Sequence, residues 1–374
     1  MFNVADYLRL VAPALPNALV DASSRTTIEA LAERLPGALT SFCGFECPLD
    51  TAAARADFLL CSTREEGHVA VLAGRHGEAR LEPALLATPS WQRVGAFCSA
   101  WLDDRDVLAE HLMNTWLEFD VASRADALAH PSLFYGTHAP PAHVSAADQL
   151  AVHRAALALL APEAVAGARG HALDAFFDAL PAGSHVFQVG VMWARETGAL
   201  RLCLRHLSPA DLLSLLARCD WPGRLDDAAA LLDELAPTAA RIDADVDLGT
   251  TLGPKLGLEC YTGTDAAAGA RLDALAALLV DHGACTPAKA AALHAYQGLR
   301  LADADPCDWP RELSEFAAAR GRGMTSALLR WVHHVKVVLE PGQAVTAKAY
   351  LAIEHHVLAR AALRATIDAM REQH

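Results

Sequence analysis

Short runs of alternating apolar and polar residues recur in pairs along this chain, and each pair is followed by two stretches of helical period. Alternation with period two gives a strand one apolar and one polar face, while a 3.6-residue period gives a helix an apolar stripe. The clearest copy is 185–195, then Glu196-Thr197-Gly198-Ala199, then 200–205; a Thr-Gly turn between β-rich runs reads as a hairpin. Val189, Val191, Trp193, Leu200, Leu202 and Leu204 fall on one face, and Gln188, Gly190, Met192, Arg201, Cys203 and Arg205 on the other. Two helices are expected next, from Ser208-Pro209 and from Asp226-Asp227, where capping and first-turn residues favour initiation.

The fourth copy alternates over 242–248, turns at 249–254 and continues as the 255–261 strand, with helices at 266–282 and 286–296. The fifth runs from Val332 to Leu339, turns at Glu340-Pro341-Gly342-Gln343 and returns through the strand that begins at Lys348; a terminal helix is expected over 357–371. Looser copies come first. Hairpins at 41–49 with 57–63 and at 115–121 with 132–135 precede helices at 96–102, 108–114, 147–160 and 168–180. Each hairpin is too tight for crossover helices, so the strands are antiparallel. Ten of them close into a barrel with helices outside and the polar faces lining the lumen. The expected fold is α+β: a ten-stranded antiparallel β-barrel surrounded by helices, in five ββαα units, as a single domain over 1–374 whose first two repeats span about 41–180. Two stacked α+β domains are the alternative.

The 53% hydrophobic content fits an ordered chain with a sizeable core, and a net charge of −14 speaks against nonspecific binding to nucleic acid or an anionic membrane. The N-terminal stretch lacks a secretory leader's apolar core, and the apolar stretch 150–168 is broken by His153, Arg154, Pro162 and Glu163. Nine scattered cysteines form no zinc or redox signature, which points to reduced thiols and a cytoplasmic protein.

Arg is the routine cation here. Lys occurs only at 255, 289, 336 and 348, and all but Lys289 sit in alternating runs. Lys255, Gly257, Glu259 and Tyr261 share a face, as do Lys348, Tyr350 and Glu354. The polar faces together bring Glu46, Glu118, Asp120, Gln188, Arg201, Arg205, Asp243, Asp245, Asp247, Lys255, Glu259, Tyr261, His334, Lys336, Lys348, Tyr350 and Glu354 to the lumen. Enclosed Arg and Lys grip phosphate oxygens by charge-assisted hydrogen bonds, phenols donate to the same oxygens, and aromatic rings attract a carbocation by about 0.5–2 kcal/mol. An enclosed carboxylate can orient an electron-rich acceptor or take its proton.

In Arg201, Arg205, Lys255, Tyr261, Lys336, Lys348 and Tyr350 the chain resembles the aromatic prenyltransferases of the ABBA fold, or prenyltransferase barrel, from about residue 41 onward. Lys348-Ala349-Tyr350 fits that family's Lys-x-Tyr; the spacing from Lys255 to Tyr261 is longer than the family's. The resemblance implies that these seven residues bind an isoprenyl diphosphate. Glu118 or Glu46 would then face an aromatic or other nucleophilic acceptor, a small molecule or peptide. It requires no cofactor, with Mg²⁺ optional. The rival reading is a non-catalytic α+β scaffold whose open polar faces engage a peptide or protein.

Other groupings carry less. Asp103-Asp104-Arg105-Asp106 has the wrong spacing for a magnesium-binding aspartate cluster and reads as a solvated helix start. Asp243, Asp245 and Asp247 share a face and could hold Mg²⁺ through oxygen ligands, but the preferred reading is a negatively charged strand beside Lys255. His333-His334 and His355-His356 lie on opposite strands of one hairpin and close no zinc set. There is no phosphate-binding Gly-rich loop and no Gly-x-Ser-x-Gly.

Overall fold

The computed structural model describes residues 2–123, 125–140, 144–195, 198–304 and 309–361. Its strands are β1 (Phe42–Pro48), β2 (Asp57–Ser62), β3 (Leu112–Phe119), β4 (Ser132–Thr137), β5 (His185–Val191), β6 (Leu200–Arg205), β7 (Arg241–Leu248), β8 (Leu252–Tyr261), β9 (Gly298–Leu301), β10 (Met324–Leu339) and β11 (Thr346–Ala359). Consecutive strands pair antiparallel from β1 to β8, β8 pairs with β10, β10 with β11, and β11 returns to β1. Ten strands therefore close a barrel without a free edge. β9 stands outside that cycle: it pairs with Ala327–Arg330, while β8 takes Val335–Leu339 of the same long strand.

Helix pairs precede each hairpin: Val4–Val11 with Ala22–Ala32, Pro89–Trp101 with Val107–His111, Ala146–Leu160 with Gly167–Asp178, Pro209–Arg218 with Leu225–Leu235, and Ala268–Asp281 with Pro287–Tyr296. The repeat is thus ααββ, starting with an N-terminal pair that the expected ββαα phasing left out. The caps behave as the residue types require: the Asp211 N–H donates to Ser208 Oγ at 3.1 Å, and the Lys289 N–H to Thr286 Oγ1 at 3.3 Å.

Boundaries differ where apolar residues serve two elements. The helix expected over 108–114 ends at His111, and Leu112–Asn114 already belong to β3. β10 begins eight residues before Val332, because Met324–Trp331 pair with the end of β11. Val357–Ala359 are strand, so the expected terminal helix does not begin at 357; residues 362–371 of it lie outside the described residues, as do Glu196 and Thr197 of the third turn.

Outward strand residues pack against the helices in one continuous core: Phe45, Phe58, Leu117, Phe119, Val189, Leu202, Val246, Leu258 and Val337 are all buried there. Lys289 is the lysine outside the alternating runs, and it is almost wholly buried. Its Nζ donates to the carbonyls of Pro48 (2.6 Å) and Ala53 (2.8 Å), pinning the β1–β2 connection to helix Pro287–Tyr296. From the other end of that helix, the Tyr296 hydroxyl donates to the Ala352 carbonyl of β11 at 3.0 Å. Replacing Lys289 by Met keeps its volume but removes both part-buried hydrogen bonds to these carbonyls, so urea unfolding of Lys289→Met is expected to show a loss of about 1–3 kcal/mol.

Candidate functional site

Inside the barrel lies a cavity of about 320 Å³, lined by residues from all ten closing strands. One side is aromatic. Phe42 (β1) meets Trp116 (β3) edge-on at 4.9 Å and Trp331 (β10) at 5.5 Å between ring centroids, and Phe134 (β4) lines the same wall. Gly190 on β5 makes room for Phe134, since a Cβ there would come within 2.2 Å of the ring.

The other side is a lattice of ion pairs. Arg201 grips Asp247 through two hydrogen bonds of 2.9 and 3.1 Å and reaches Asp245 at 3.3 Å; Lys336 Nζ lies 2.6 Å from Asp245. Gly257 leaves the space for this, because a Cβ there would stand 2.0 Å from the Asp245 carboxylate and 2.5 Å from Lys336 Cε. Arg205 and Arg241 share Asp243 at 2.9 and 3.1 Å, each with its guanidinium over an aromatic ring: Phe187 at 3.9 Å and Tyr261 at 4.0 Å respectively. Such pairs offset the desolvation cost of enclosed charges only through several contacts each, and here Asp243 Oδ1 is left buried without a hydrogen-bond partner among the described residues.

The carboxyl groups divide by partner. Burial opposes the charge of Glu46, but the Lys348 ammonium and a 2.6 Å hydrogen bond from the Tyr350 hydroxyl hold it well below the usual carboxylate range. Burial raises Asp245 too, and Lys336 and Arg201 bring it back below the ordinary value. Glu118 has no ion-pair partner among the described residues; burial, with the charge of Glu46 behind it, pushes its carboxyl up to about 8. Burial likewise raises Glu259, which accepts a 2.9 Å hydrogen bond from the Tyr261 hydroxyl, and lifts Asp57 to about 6. The site thus holds an ionised carboxylate in Glu46 and a neutral carboxylic acid in Glu118, two groups able to play opposite proton roles.

No protein-family model and no curated protein matches the chain. Solved structures do. Over 94% of both chains it superposes on the apo form of the prenyltransferase PriB, with a TM-score of 0.52 at 15% identity. The fold is the prenyltransferase barrel. The 5-dimethylallyltryptophan synthase of Streptomyces coelicolor gives a TM-score of 0.50 at 16% identity, over 93% of this chain and 95% of that one. Its complex with DMASPP and Trp gives 0.50 over 93% of each.

Within the prenyltransferase barrel, six of the nine residues singled out from the sequence line the cavity itself: Glu118, Arg201, Arg205, Tyr261, Lys336 and Tyr350. Glu46 and Lys348 sit just behind Tyr350 and reach the cavity through its hydroxyl. Lys255 does not belong. Its side chain is 52% exposed and pairs with Glu340 at 3.7 Å, because the β7–β8 register shifts between Val246 and Leu248 and carries this end of β8 out of the lumen. Asp243, Asp245 and Asp247 are committed to Arg and Lys, and no group of three His, Cys, Asp or Glu among the described residues is placed to hold a metal. Asp103 and Asp104 pair with Arg105 and Arg64 on the surface, and Asp106 caps Val107–His111.

The aromatic wall was missed, although Phe42 shares a face with Glu46 and Trp116 with Glu118 by the same alternation. Arg241 likewise shares the face of Asp243. His333 was hidden for a different reason: β10 shifts register between Val332 and His334, and both His333 and His334 line the cavity.

The neutral Glu118 has a measurable consequence. Between the usual carboxylate range and about pH 8 the folded chain keeps a proton on this group that the unfolded chain has lost. Its contribution to stability is therefore full in acid, falls as pH rises, and is gone above about 8. Urea unfolding from about pH 5 to about pH 8 is expected to show a smaller loss of stability in Glu118→Gln than in the wild type.

Proposed function

We propose that this chain, acting as one domain, is a prenyltransferase that moves an allylic prenyl group from an isoprenyl diphosphate to an aromatic acceptor. The observation that carries the reading is the two-sided lumen: Arg201, Arg205, Lys336, Tyr261 and Tyr350 face the same cavity as Phe42, Trp116, Phe134 and the Glu118 carboxyl. A donor with an anionic head and an apolar tail fits the first side, and a flat aromatic fits the second. The likeness of fold to a prenyltransferase and to a dimethylallyltryptophan synthase supports the same assignment. The partner-binding alternative needs open polar strand faces, and here those faces enclose a cavity.

The diphosphate oxygens would take hydrogen bonds from Arg201, Arg205, Lys336 and the two phenols, which stabilise the charge that builds on the leaving group as the allylic C–O bond stretches. The allyl cation would pass between the rings of Tyr261, Tyr350 and the aromatic wall, shielded from water. Glu118 would meet the acceptor: a neutral acid can bind a polar edge of it without adding charge to the lumen. Lys348 acts behind Tyr350, fixing the Glu46 carboxylate that accepts the Tyr350 proton. A Mg²⁺ ion accompanying the donor would be held by the diphosphate's own oxygens, since the lumen aspartates already hold cations.

Calorimetric titration with dimethylallyl thiodiphosphate, with and without Mg²⁺, tests this directly. Binding on the order of micromolar is expected for the wild type and for Lys255→Ala, and Lys336→Ala is expected to bind about tenfold or more weakly. Failure of the wild type to bind, or equal binding by Lys336→Ala, would sink the assignment.

A further inference from the structure

The cavity wall contains a pair of groups that donor and acceptor binding leave unused. His333 Nδ1 and His334 Nδ1 lie 2.8 Å apart, on consecutive residues that the β10 bulge turns into the same cavity. Tyr261 contacts both rings, at 5.6 Å from His333 and 5.0 Å from His334, and beyond it their neighbours diverge. His333 packs against Phe42 at 5.9 Å and Trp116 at 6.4 Å, on the aromatic side. His334 stacks on Tyr350 at 4.2 Å with its planes 16° apart, beside the Lys336–Asp245 pair. Its Nε2 is buried and has no hydrogen-bond partner.

A contact between two Nδ1 atoms can hold only one proton, and that fixes the rest. If His333 Nδ1–H donates, a neutral His334 must carry its own proton on Nε2, and His333 Nε2 is bare. Moving the shared proton across keeps both rings neutral only when one proton enters at His333 Nε2 and another leaves from His334 Nε2, and the two ends are then reversed. The pair therefore always shows one donor and one acceptor Nε2, which is the requirement for passing a proton along. Both imidazoles are held neutral: burial pushes each down to about 3, with His334 adding to the effect on His333 and Lys336 to that on His334. Arg205 and Arg241 also disfavour charge near His333 and Glu354 favours it; for His334, Asp245 and Glu46 favour charge against Arg241. A diphosphate beside Lys336 and Arg205 would reverse that balance by its own negative charge.

We propose that His333–His334 is a proton relay, carrying the proton lost by the acceptor from the aromatic side of the lumen to the departing diphosphate. This rests on the prenyltransferase reading. The donor C–O bond breaks and its electron pair leaves on diphosphate; a π pair of the acceptor ring then forms the new C–C bond. The proton on the attacked carbon passes to the bare His333 Nε2, and the C–H pair restores the aromatic ring. The shared proton crosses to His334 Nδ1, and the His334 Nε2 proton goes to a diphosphate oxygen. Atoms and charge balance over the transfer; the pair is left with its ends reversed, and once product leaves, loss of the His333 Nε2 proton to water, return of the shared proton and uptake of a water proton at His334 Nε2 restore it.

The test compares wild type, His333→Gln and His334→Gln, using dimethylallyl diphosphate with L-tryptophan and ring-deuterated tryptophan as probe acceptors. Both variants should still bind dimethylallyl thiodiphosphate, transfer about 10²–10⁴-fold more slowly, and acquire a primary deuterium isotope effect, because loss of the ring proton has become slow. Transfer at the wild-type rate in both variants, with no isotope effect, overturns the relay while leaving the prenyltransferase reading standing. A wild type that neither binds the thiodiphosphate nor releases diphosphate removes both. Nitrogen-15 spectra of the histidines read the pair itself, whatever the acceptor. One proton shared between two Nδ1 atoms, lost in each variant, supports the relay; two independent imidazoles refute it.

Discussion

Closing a barrel leaves the charged side chains on its inner faces with no solvent to return to, so they must satisfy one another. The Asp247–Arg201–Asp245–Lys336 chain is the result. It ties β6, β7 and β10 across the lumen and is possible only because Gly257 on β8 contributes no side chain where the Asp245–Lys336 pair lies. Losing one member would leave an uncompensated buried charge, a far larger penalty than the net worth of the pair. The same demand explains why Arg205 and Arg241 share a single aspartate and each lays one guanidinium face over an aromatic ring.

That network also shapes what the lumen can accept. A site whose cations stood alone would repel itself when empty; here each cation is held in place by a carboxylate before any ligand arrives. An incoming diphosphate would have to share those cations with Asp243, Asp245 and Asp247, so its affinity would come from replacing one set of oxygens with another. The gain is rigidity, because the Arg and Lys heads are already ordered and their rotamer entropy is already lost. The cost is charge. Glu118, without an ion-pair partner among the described residues, answers by keeping its proton, because burial and the charge of Glu46 outweigh the pull of Arg195, Arg201 and Lys336.

Alternation made much of this legible. Period two assigned Arg201, Arg205, Lys336, Tyr261 and Tyr350 to the inner face from the sequence, and paired strand runs too close for crossovers implied antiparallel closure. What stayed hidden has identifiable causes. The N-terminal helix pair escapes the pattern because helices and hairpins alternate along the whole chain, so period alone does not distinguish ααββ from ββαα phasing. The start of β10 from Met324 was missed because Ala327, Leu328 and Leu329 break alternation, being shared between β9 and β11 as pairing partners. Lys255 was placed inside because alternation was carried through a register shift that no single strand's sequence reports. The aromatic wall obeys the rule throughout, but Phe and Trp on a strand suit a packed core as well as a cavity, so alternation alone does not mark them as lining.

The two departures from alternation act in opposite senses. On the β7–β8 pair the shift ejects Lys255 to the surface, where it pairs with Glu340, while inside Asp245 serves Lys336 and Asp247 serves Arg201. On β10 the shift brings in an extra residue, so that a uniform strand's single inward histidine becomes two in contact. A neutral imidazole adds polarity without charge, which a lumen already saturated with ion pairs can accommodate where another Lys or Asp could not. Both irregularities therefore satisfy the constraint that closure imposes, and they do so at the places where the polar surface of the cavity is decided.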